Sequence, residues 1–302
     1  MFTIIVPGSS ANLGPGFDSI GLAVSKYLTL DVYQSDTWYF EAASEMLKGV
    51  PTGKDNMMYQ VAEKVAKQYG KELPACHVVV RSEIPLARGL GSSASAIIAA
   101  IELANQLLGD VMTVEEKLRI SCLLEGHPDN VAASLYGGLV VGVHDESETH
   151  VIKAGVPACE LIALIPDFEL KTEEARNVLP KELSYQTAIR GSAVSNVLIA
   201  SLMQGNYELA GKMMEEDVFH EPYRKIFLPQ FDELRLFAKE QGAFAVTLSG
   251  AGPTLLVYVP EGESYALSQK LEEAFSIYKA HPLQIDEQGV VVLKERLKKV
   301  IQ

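Results

Sequence analysis

Hydrophobic and polar residues alternate in some segments of the chain, as in half-buried strands, and recur at helical spacing in others. The alternation predicts strands at residues 2–6, 20–33, 38–42, 77–84, 139–143, 161–165, 243–248, 254–259 and 289–293. The helical spacing predicts helices at residues 57–69, 96–108, 114–124, 171–178, 188–203, 207–216, 228–241 and 263–278. Strands flank helices without regular βαβ alternation, which predicts an α+β fold. A seam near Val156 and Pro157 predicts two domains, residues 1–155 and 156–302.

The most informative segment is residues 85–95 (PLARGLGSSAS), which joins a predicted strand to a predicted buried helix. The first backbone N–H groups of a helix lack partners and carry a partial positive charge. Glycines let a ligand approach the backbone closely, so this arrangement predicts a site for an anion, typically phosphate. From these residues alone, an alternative is that Ser92 or Ser93 only caps the helix, a role in which serine is common.

The segment matches neither of two familiar phosphate-binding loops. Gly89 and Gly91 lack the third spaced glycine of a dinucleotide fingerprint, and no Gly-Lys-Ser/Thr follows, as a P-loop requires. The pattern P-x-x-x-G-L-G-S-S-A instead resembles the second motif of the GHMP small-molecule kinases. Residues 7–18 (PGSSANLGPGFD) and 248–254 (LSGAGPT) resemble the first and third motifs of that superfamily, in the same order.

Two further segments, residues 125–134 (EGHPDNVAAS) and 220–224 (HEPYR), resemble the homoserine kinases within that superfamily. The resemblance implies an N-terminal domain like the second domain of ribosomal protein S5, followed by a ferredoxin-like C-terminal domain. It implies an enzyme that transfers the γ-phosphate of ATP to the hydroxyl of L-homoserine, with Mg²⁺, to give O-phospho-L-homoserine in threonine biosynthesis. A homodimer is a further expectation from the family.

The resemblance also implies roles for individual residues. The residues expected to bind ATP are Asn56, Pro85, Leu86, Ala87, Arg88, Gly89, Leu90, Gly91, Ser92, Ser93, Ala94 and Ser95. The residues expected to bind homoserine are Asn12, Asp18, His127, Arg176, Arg224 and Gly250. Ser92 and Glu125 are expected to hold Mg²⁺, and Asp18, Glu125 and Asn130 to take part in catalysis. A hydroxyl and a carboxylate suit Mg²⁺, which keeps several waters.

Asn130 marks a departure from the mevalonate-type relatives, in which an aspartate seven residues before the Gly-Gly pair acts as the catalytic base. Counting back from Gly137 leads to Asn130, whose amide cannot take a proton as a carboxylate can. The base therefore stays unassigned, and we expect positioning and charge stabilisation to supply most of the rate. Asp18 or Asp129 at most assists. A second departure is the short link between Glu125 and His127, which is longer in some relatives.

Composition and charge limit the kinds of binding partner that we expect. The chain has 302 residues and a formal charge of −13, which argues against a broad nucleic-acid surface. A site for an anionic nucleotide must therefore concentrate positive potential locally. Cys76, Cys122 and Cys159 fit no disulfide or metal pattern, and we expect them reduced in the core. With no signal sequence and no apolar run of membrane-spanning length, we expect a soluble, cytoplasmic protein without a membrane partner.

Two other functions stay open at this point. One is a GHMP kinase for another alcohol, such as mevalonate or a diphosphocytidyl-polyol. Asn130 and the pair Arg176 and Arg224 argue against it. The other is a non-catalytic sensor that binds nucleotide and metabolite, since a fold does not determine function. The retained Ser92, Glu125 and glycine loop argue against a sensor.

Overall fold

The computed structural model describes residues 1–294 of the chain. The first elements are β1 (Phe2–Asn12), β2 (Gly16–Gln34), β3 (Tyr39–Ala42), α1 (Met57–Gln68), β4 (Cys76–Ser82), α2 (Ser92–Leu108), α3 (Val114–Glu125), α4 (Asp129–Tyr136), β5 (Leu139–His144) and β6 (Thr149–Gly155). They are followed by β7 (Glu160–Pro166), α5 (Thr172–Asn177), α6 (Tyr185–Met203), α7 (Tyr207–Met214), α8 (Glu221–Arg224), α9 (Phe231–Glu240), β8 (Ala245–Leu248), β9 (Leu255–Val259), α10 (Ser264–Ala274), β10 (Tyr278–Leu283) and β11 (Val291–Lys294).

Helices cover the first sheet, and one of them is α2, which follows the predicted phosphate-binding loop. Strands β11, β1, β2, β4 and β3 follow one another across it, and β5 connects β2 to β6. Helices α2 and α4 pack against β1 and β2, and α1 and α3 contact α2. Because α2 has neighbours on several sides, apolar residues around it are buried, including Ile98, Ile101 and Leu103.

The second sheet has the order β10-β7-β9-β8, and each pair of neighbours is antiparallel. With a helical segment after β7 and α10 after β9, the chain follows the βαββαβ order of a ferredoxin-like fold. Ile162, Leu164 and Val257 of the sheet pack against Leu234 of α9 and Leu271 of α10. The predicted α+β fold with a ferredoxin-like second half is confirmed.

The start of α2 differs from the starts of α1 and α3 because no side chain caps its first N–H groups. The Thr113 side chain and the Glu116 side chain form a capping box at the start of α3, and Asn56 caps α1 by accepting from Met58 N. The N-cap of α2, however, is Gly91 in the left-handed conformation, without a side-chain hydrogen bond. The alternative that Ser92 or Ser93 caps this helix is therefore wrong.

Several element boundaries differ from the sequence prediction. Strand β1 continues to Asn12, because two register shifts keep its turn-forming residues paired with β2. The helix predicted at residues 263–278 ends at Ala274, and β10 follows it. Pro282 lies in β10, which is an edge strand and so tolerates a proline. Strand β6 is not among the strands predicted from the sequence.

The last described strand returns to the first sheet. Strand β11 pairs with β1 from Phe2 opposite Lys294 to Ile5 opposite Val291. We keep the boundary between residues 155 and 156 as a proposal. It separates the two sheets except for β11, and one hydrophobic core spans it, with Leu161 and Tyr258 packed in the same cluster as Leu22.

Two sequence expectations concern the environment of the chain. Cys76, Cys122 and Cys159 are free and buried, as predicted, and burial raises the pKa of the Cys122 thiol to about 12. Within residues 1–294, no helix combines the length and apolar character needed to cross a membrane.

A buried ion pair joins α2 to α3 and gives a stability prediction. Lys117 Nζ lies 2.7 Å from Glu102 Oε2, and the two side chains are only 14% and 4% exposed. We expect Lys117→Met to lower the free energy of unfolding by about 3 kcal/mol, because it leaves a buried carboxylate without its cation. Urea unfolding measures this change.

The controls for this prediction use the same chemistry in two other settings. Lys48→Met removes a lysine from an exposed pair with Glu45, and we expect a cost below about 0.5 kcal/mol. The double variant Glu102→Gln with Lys117→Met should recover most of the loss. An equal cost for Lys117→Met and Lys48→Met would contradict the prediction.

Candidate active site

The loop between β4 and α2 approaches other backbone segments so closely that only glycine fits. Gly89 has φ +75°, and a Cβ there would lie 2.3 Å from the carbonyl oxygen of Ser249. Gly91 has φ +70°, and a Cβ there would lie 2.3 Å from Ser9 Oγ and 3.2 Å from Asn130 Oδ1. The three motif segments of the sequence analysis therefore meet at the N-terminus of α2.

Two cavities share this helix start. A cleft of about 620 Å³, including its open mouth, is lined by Ala11, Asn12, Phe17, Asp18, Ala87, Gly89, Gly91, Ser92, Ser93, Glu125, His127, Asp129, Asn130, Leu170, Thr172, Arg176, Arg224, Gly250, Ala251 and Gly252. A larger, mainly apolar cavity of about 1170 Å³ lies beside it, and Ser92 and Ser93 line both. Its apolar wall includes Phe40, Leu47, Val50, Met57 and Met58. Polar groups thus line one side of the helix start and apolar groups the other.

Glu125 is the carboxylate next to the loop. It ends α3, and its Oε2 accepts a hydrogen bond of 3.2 Å from Ser93 Oγ. Burial raises the pKa of Glu125, while His127 and the Ser93 hydrogen bond act in the opposite direction. The serine that the structure brings into contact with Glu125 is therefore Ser93, and not the predicted Ser92, which lines the cleft beside it.

His127 and Asp129 form a hydrogen-bonded pair at the N-terminal end of α4. His127 Nδ1 lies 2.6 Å from Asp129 Oδ1, which also accepts from the backbone N–H of Asn130. Burial lowers the pKa of His127, but Asp129, Asp18 and Glu125 outweigh burial and raise it to about 9. His127 is therefore a cation at neutral pH, and its imidazolium faces the cleft.

Asn130 is held by its neighbours rather than free in the cleft. Its Oδ1 accepts a hydrogen bond of 3.0 Å from Ser9 Oγ, and its amide nitrogen lies 3.4 Å from Asp129 Oδ1. The buried Ser134 hydroxyl donates in turn to Ser9 Oγ. These contacts fix the direction of the Asn130 amide dipole beside Gly91.

Asn12 connects two parts of the cleft with a buried amide. Its Nδ2 donates to the carbonyl of Gly250 at 3.2 Å, and its Oδ1 accepts from the backbone N–H of Asp18 at 3.1 Å. Asp18 has φ +54°, a conformation that needs such support outside glycine. Through these two contacts the Asn12 side chain connects the Gly250 segment to the turn at Asp18.

Asp18 and Arg176 form a bidentate ion pair at the wall of the cleft. The guanidinium donates to the two Asp18 oxygens at 3.1 and 2.8 Å, and both side chains are about one third exposed, 34% for Asp18 and 38% for Arg176. The guanidinium also lies 5.5 Å from the centre of the Phe17 ring. An acidic group and a basic group thus stand side by side at the cleft wall.

Arg224 is buried, with only 2% of its surface exposed, and its hydrogen bonds go to neutral groups. It donates to the carbonyls of Ala175 at 2.9 Å and Gly250 at 3.0 Å. Burial and the nearby Arg176 lower the pKa of Arg224 to about 10. Within the part of the chain that the structure describes, no carboxylate lies within ion-pair distance of this guanidinium.

Some predicted residues lie away from the cavity walls, and some wall residues were not predicted. Pro85, Arg88, Leu90 and Ala94 lie outside the walls of both cavities. The Arg88 guanidinium donates to the Leu86, Pro166 and Asp167 carbonyls and to Glu169, and the other predicted ATP and homoserine residues line one of the two cavities. Phe17, Thr172 and the apolar wall were not predicted from the sequence to be functional.

The chain matches known proteins over nearly its whole length. Residues 56–138 match the model for the GHMP kinases N terminal domain, and residues 198–277 match that for GHMP kinases C terminal. A homoserine kinase from Halalkalibacterium halodurans is 54% identical over 292 residues, which are 96% of this chain and 94% of that protein. One from Bacillus velezensis is 49% identical over 300 residues, 99% of this chain and 97% of that protein.

Solved structures with the same fold include a homoserine kinase and a mevalonate kinase. The crystal structure of a homoserine kinase from Cytophaga hutchinsonii has a TM-score of 0.84 at 27% identity and 97% coverage of both chains. A mevalonate kinase with a TM-score of 0.73, at 16% identity and covering 95% of this chain and 99% of that one, shares the fold. The fold and the glycine-loop cleft are those of a GHMP kinase. Within that class, the chain belongs to the homoserine kinase family.

The close approach at Gly89 predicts that a side chain there lowers both stability and activity, beyond the effect of the left-handed backbone conformation alone. Gly89→Ala should lower the free energy of unfolding and lower kcat/KM at least about tenfold, because the new methyl group separates the loop from Ser249. Gly109→Ala is the matched control, with φ +95° and no atom within 4 Å of the new Cβ. It should cost about 1 kcal/mol and leave kcat/KM unchanged. Equal activity losses in the two variants would refute this explanation.

Proposed function

We propose that the chain phosphorylates the hydroxyl of L-homoserine with ATP, giving O-phospho-L-homoserine for threonine biosynthesis. The observation that carries the proposal is Arg224. A buried guanidinium bonded only to neutral acceptors is costly unless a ligand supplies the negative charge. This one opens onto a cleft that also contains a glycine-rich helix start. A substrate that carries a carboxylate fits that demand, and mevalonate, serine and homoserine all carry one.

The ion pair beside Arg224 narrows the substrate to an amino acid. Asp18 and Arg176 lie together at the wall of the cleft, as described above. An α-amino acid carries an ammonium and a carboxylate on the same carbon, so it can exchange with this pair, ammonium to Asp18 and carboxylate to Arg176 and Arg224. Mevalonate has no ammonium group to pair with Asp18. The remaining hydroxyl chain of homoserine then extends toward the loop.

ATP occupies the two cavities on either side of the start of α2. The backbone N–H groups from Gly89 to Ser93 and the helix N-terminus bind phosphate oxygens. The adenosine part enters the apolar cavity, where Asn56 lies at the start of α1. His127 and Arg176 add positive charge in the cleft of a chain whose formal charge is −13, so anionic phosphate is attracted locally.

The residues beside the loop fit a magnesium ion. Glu125 and Ser93 offer a partly buried carboxylate oxygen and a hydroxyl in contact with each other, and Ser92 lines the same wall. Mg²⁺ prefers a few oxygen ligands of this kind and keeps its remaining waters. We propose that Glu125 and Ser93 hold Mg²⁺. Ser92, the ligand that the family resemblance implies, is the other candidate hydroxyl. When bound, the ion neutralises charge on the phosphate oxygens.

The route of the substrate proton needs no dedicated aspartate. Asn130 cannot act as a base, although its fixed dipole can orient the hydroxyl. Asp129 is occupied by His127 and by the Asn130 N–H, and Asp18 by Arg176. We propose that alignment of the hydroxyl and stabilisation of phosphate charge supply most of the rate, with Asp18 at most assisting.

The test of the proposed function is ADP release with Mg²⁺ and ATP in the presence of homoserine, serine, threonine or mevalonate. We expect turnover above the ATP-only background with homoserine and little with the others. Turnover with mevalonate instead would contradict the amino-acid pocket. ATP binding without turnover of any alcohol would support a sensor.

Arg224→Met tests the carboxylate role directly. We expect the KM for homoserine to rise at least about 100-fold, since about 3 kcal/mol of charge-assisted binding is lost, and the KM for ATP to stay within about threefold. Arg190→Met, which removes an exposed arginine paired with Glu216, should change neither value. A parallel rise in both KM values would count against the assignment.

Ser93→Ala and Ser92→Ala form a matched pair for the metal site. If Ser93 is the hydroxyl ligand, Ser93→Ala should raise the Mg²⁺ concentration for half-maximal rate about tenfold or more, and Ser92→Ala should raise it less. The measurement is a Mg²⁺ titration at saturating ATP and homoserine. A larger effect of Ser92→Ala would return the role to the residue predicted from sequence.

A further inference from the structure

His220 occupies a fully buried position between the segment that contains Gly14 and Phe17 and the side chain of Arg224. It immediately precedes α8, and its imidazole has no solvent exposure. Nε2 lies 2.9 Å from the carbonyl oxygen of Gly14, and Nδ1 lies 3.3 Å from Nη1 of Arg224. The ring also stacks on Phe17, with centroids 5.3 Å apart and planes at 21°. One side chain thus contacts the first motif segment and the proposed carboxylate-binding arginine.

The partners of His220 define its tautomer. A guanidinium can only donate, so Nδ1 must accept from Arg224 with its lone pair. A carbonyl oxygen can only accept, so the ring proton must be on Nε2, where it is donated to Gly14. Burial and the charge of Arg224 lower the pKa of His220, while Asp217 acts in the opposite direction. The imidazole is therefore neutral and bonded at both nitrogens.

These contacts belong to a chain of hydrogen bonds around the cleft. Arg224 donates to the carbonyl of Gly250, which also accepts from Asn12, and Asn12 accepts from the N–H of Asp18. The Phe17 ring lies 5.2 Å from the Arg224 guanidinium and 5.5 Å from that of Arg176. Nη1 of Arg224 is shared between His220 and the Gly250 carbonyl, and Nε donates to Ala175, so His220 is the one side chain among these hydrogen-bond partners of Arg224.

We propose that His220 is a positioning residue that aims Arg224 at the carboxylate of the substrate and thereby sets the preference for amino acids. The inference rests on the proposed function, because it assumes that a substrate carboxylate meets Arg224. His220 itself does not line the cleft and so touches neither substrate nor nucleotide. Its effect is therefore on homoserine binding, and ATP binding is independent of it.

Two isosteric variants separate the two hydrogen bonds. In His220→Asn, the amide oxygen replaces Nδ1 as the acceptor for Arg224, and the donor to Gly14 is lost. In His220→Gln, the amide nitrogen replaces Nε2 as the donor to Gly14, and the acceptor for Arg224 is lost. Steady-state kinetics of both, with urea unfolding as the test of folding, compare the KM for homoserine with the KM for ATP.

The proposal predicts a different result for each variant. His220→Gln should raise the KM for homoserine about tenfold and His220→Asn at most about threefold, with the KM for ATP within about twofold in both. A purely structural role would raise both KM values together, or affect both variants equally, and either result would overturn the proposal. If the unsubstituted protein does not turn over homoserine, the proposed function fails, which is a separate outcome.

A measurement on the unsubstituted protein tests the same contact without relying on the fold of a variant. The chain has six histidines, so long-range ¹H–¹⁵N spectra can resolve His220 after assignment by a His220→Gln sample or by its buried, slowly exchanging proton. At neutral pH we expect a neutral ring with the proton on Nε2. A proton on Nδ1, alone or in a doubly protonated ring, would overturn the proposal, because Nδ1 could then not accept from Arg224.

Discussion

The active-site cleft depends on a backbone contact that leaves no room for a side chain at Gly89. The loop before α2 lies against the segment from Ser249 to Gly252, and the Ser249 hydroxyl donates to the Gly89 carbonyl at 2.6 Å. The N–H of Gly250 donates in turn to the carbonyl of Ala11. Three segments that are far apart in sequence are thus held together mainly through their backbones. The positions of the helix N-terminus, of Arg224 and of the Asp18 loop relative to one another follow from this contact.

The cleft contains three cations, although the chain as a whole is acidic. The formal charge is −13, yet Arg176, Arg224 and the His127 imidazolium gather around the start of α2. Each cation is held differently: one by Asp18, one by neutral acceptors, and one by Asp129. Cations whose partners already lie in place need little rearrangement when phosphate and carboxylate arrive, which is the form of preorganisation that stabilises developing charge. The cleft wall therefore balances these three cations against the carboxylates of Asp18, Glu125 and Asp129, and is less negative than the chain as a whole.

The sequence predicted the features that local rules control. The helix that follows Gly91 and the helix at residues 114–124 were predicted, because helical spacing is set by neighbouring residues, whereas the ferredoxin-like second half was implied by the family resemblance. Packing between distant segments was not predictable in this way. The contact of Glu125 with Ser93, and the internal use of the Asn12 amide, depend on the side chain that each backbone direction presents. Apolar walls of a cavity look the same in sequence as core residues, so the second cavity gave no signal.

The pairing of β11 with β1 has a consequence for how the protein is made. Strand β11 pairs with Phe2–Ile5 of β1 and is synthesised about 290 residues after them. Until then β1 is an open edge, available for pairing with other chains. Helices α2 and α4 pack on the face of β1 and leave the edge at Phe2–Ile5 to β11. Synthesis of β11 therefore closes the edge of the sheet that contains β1.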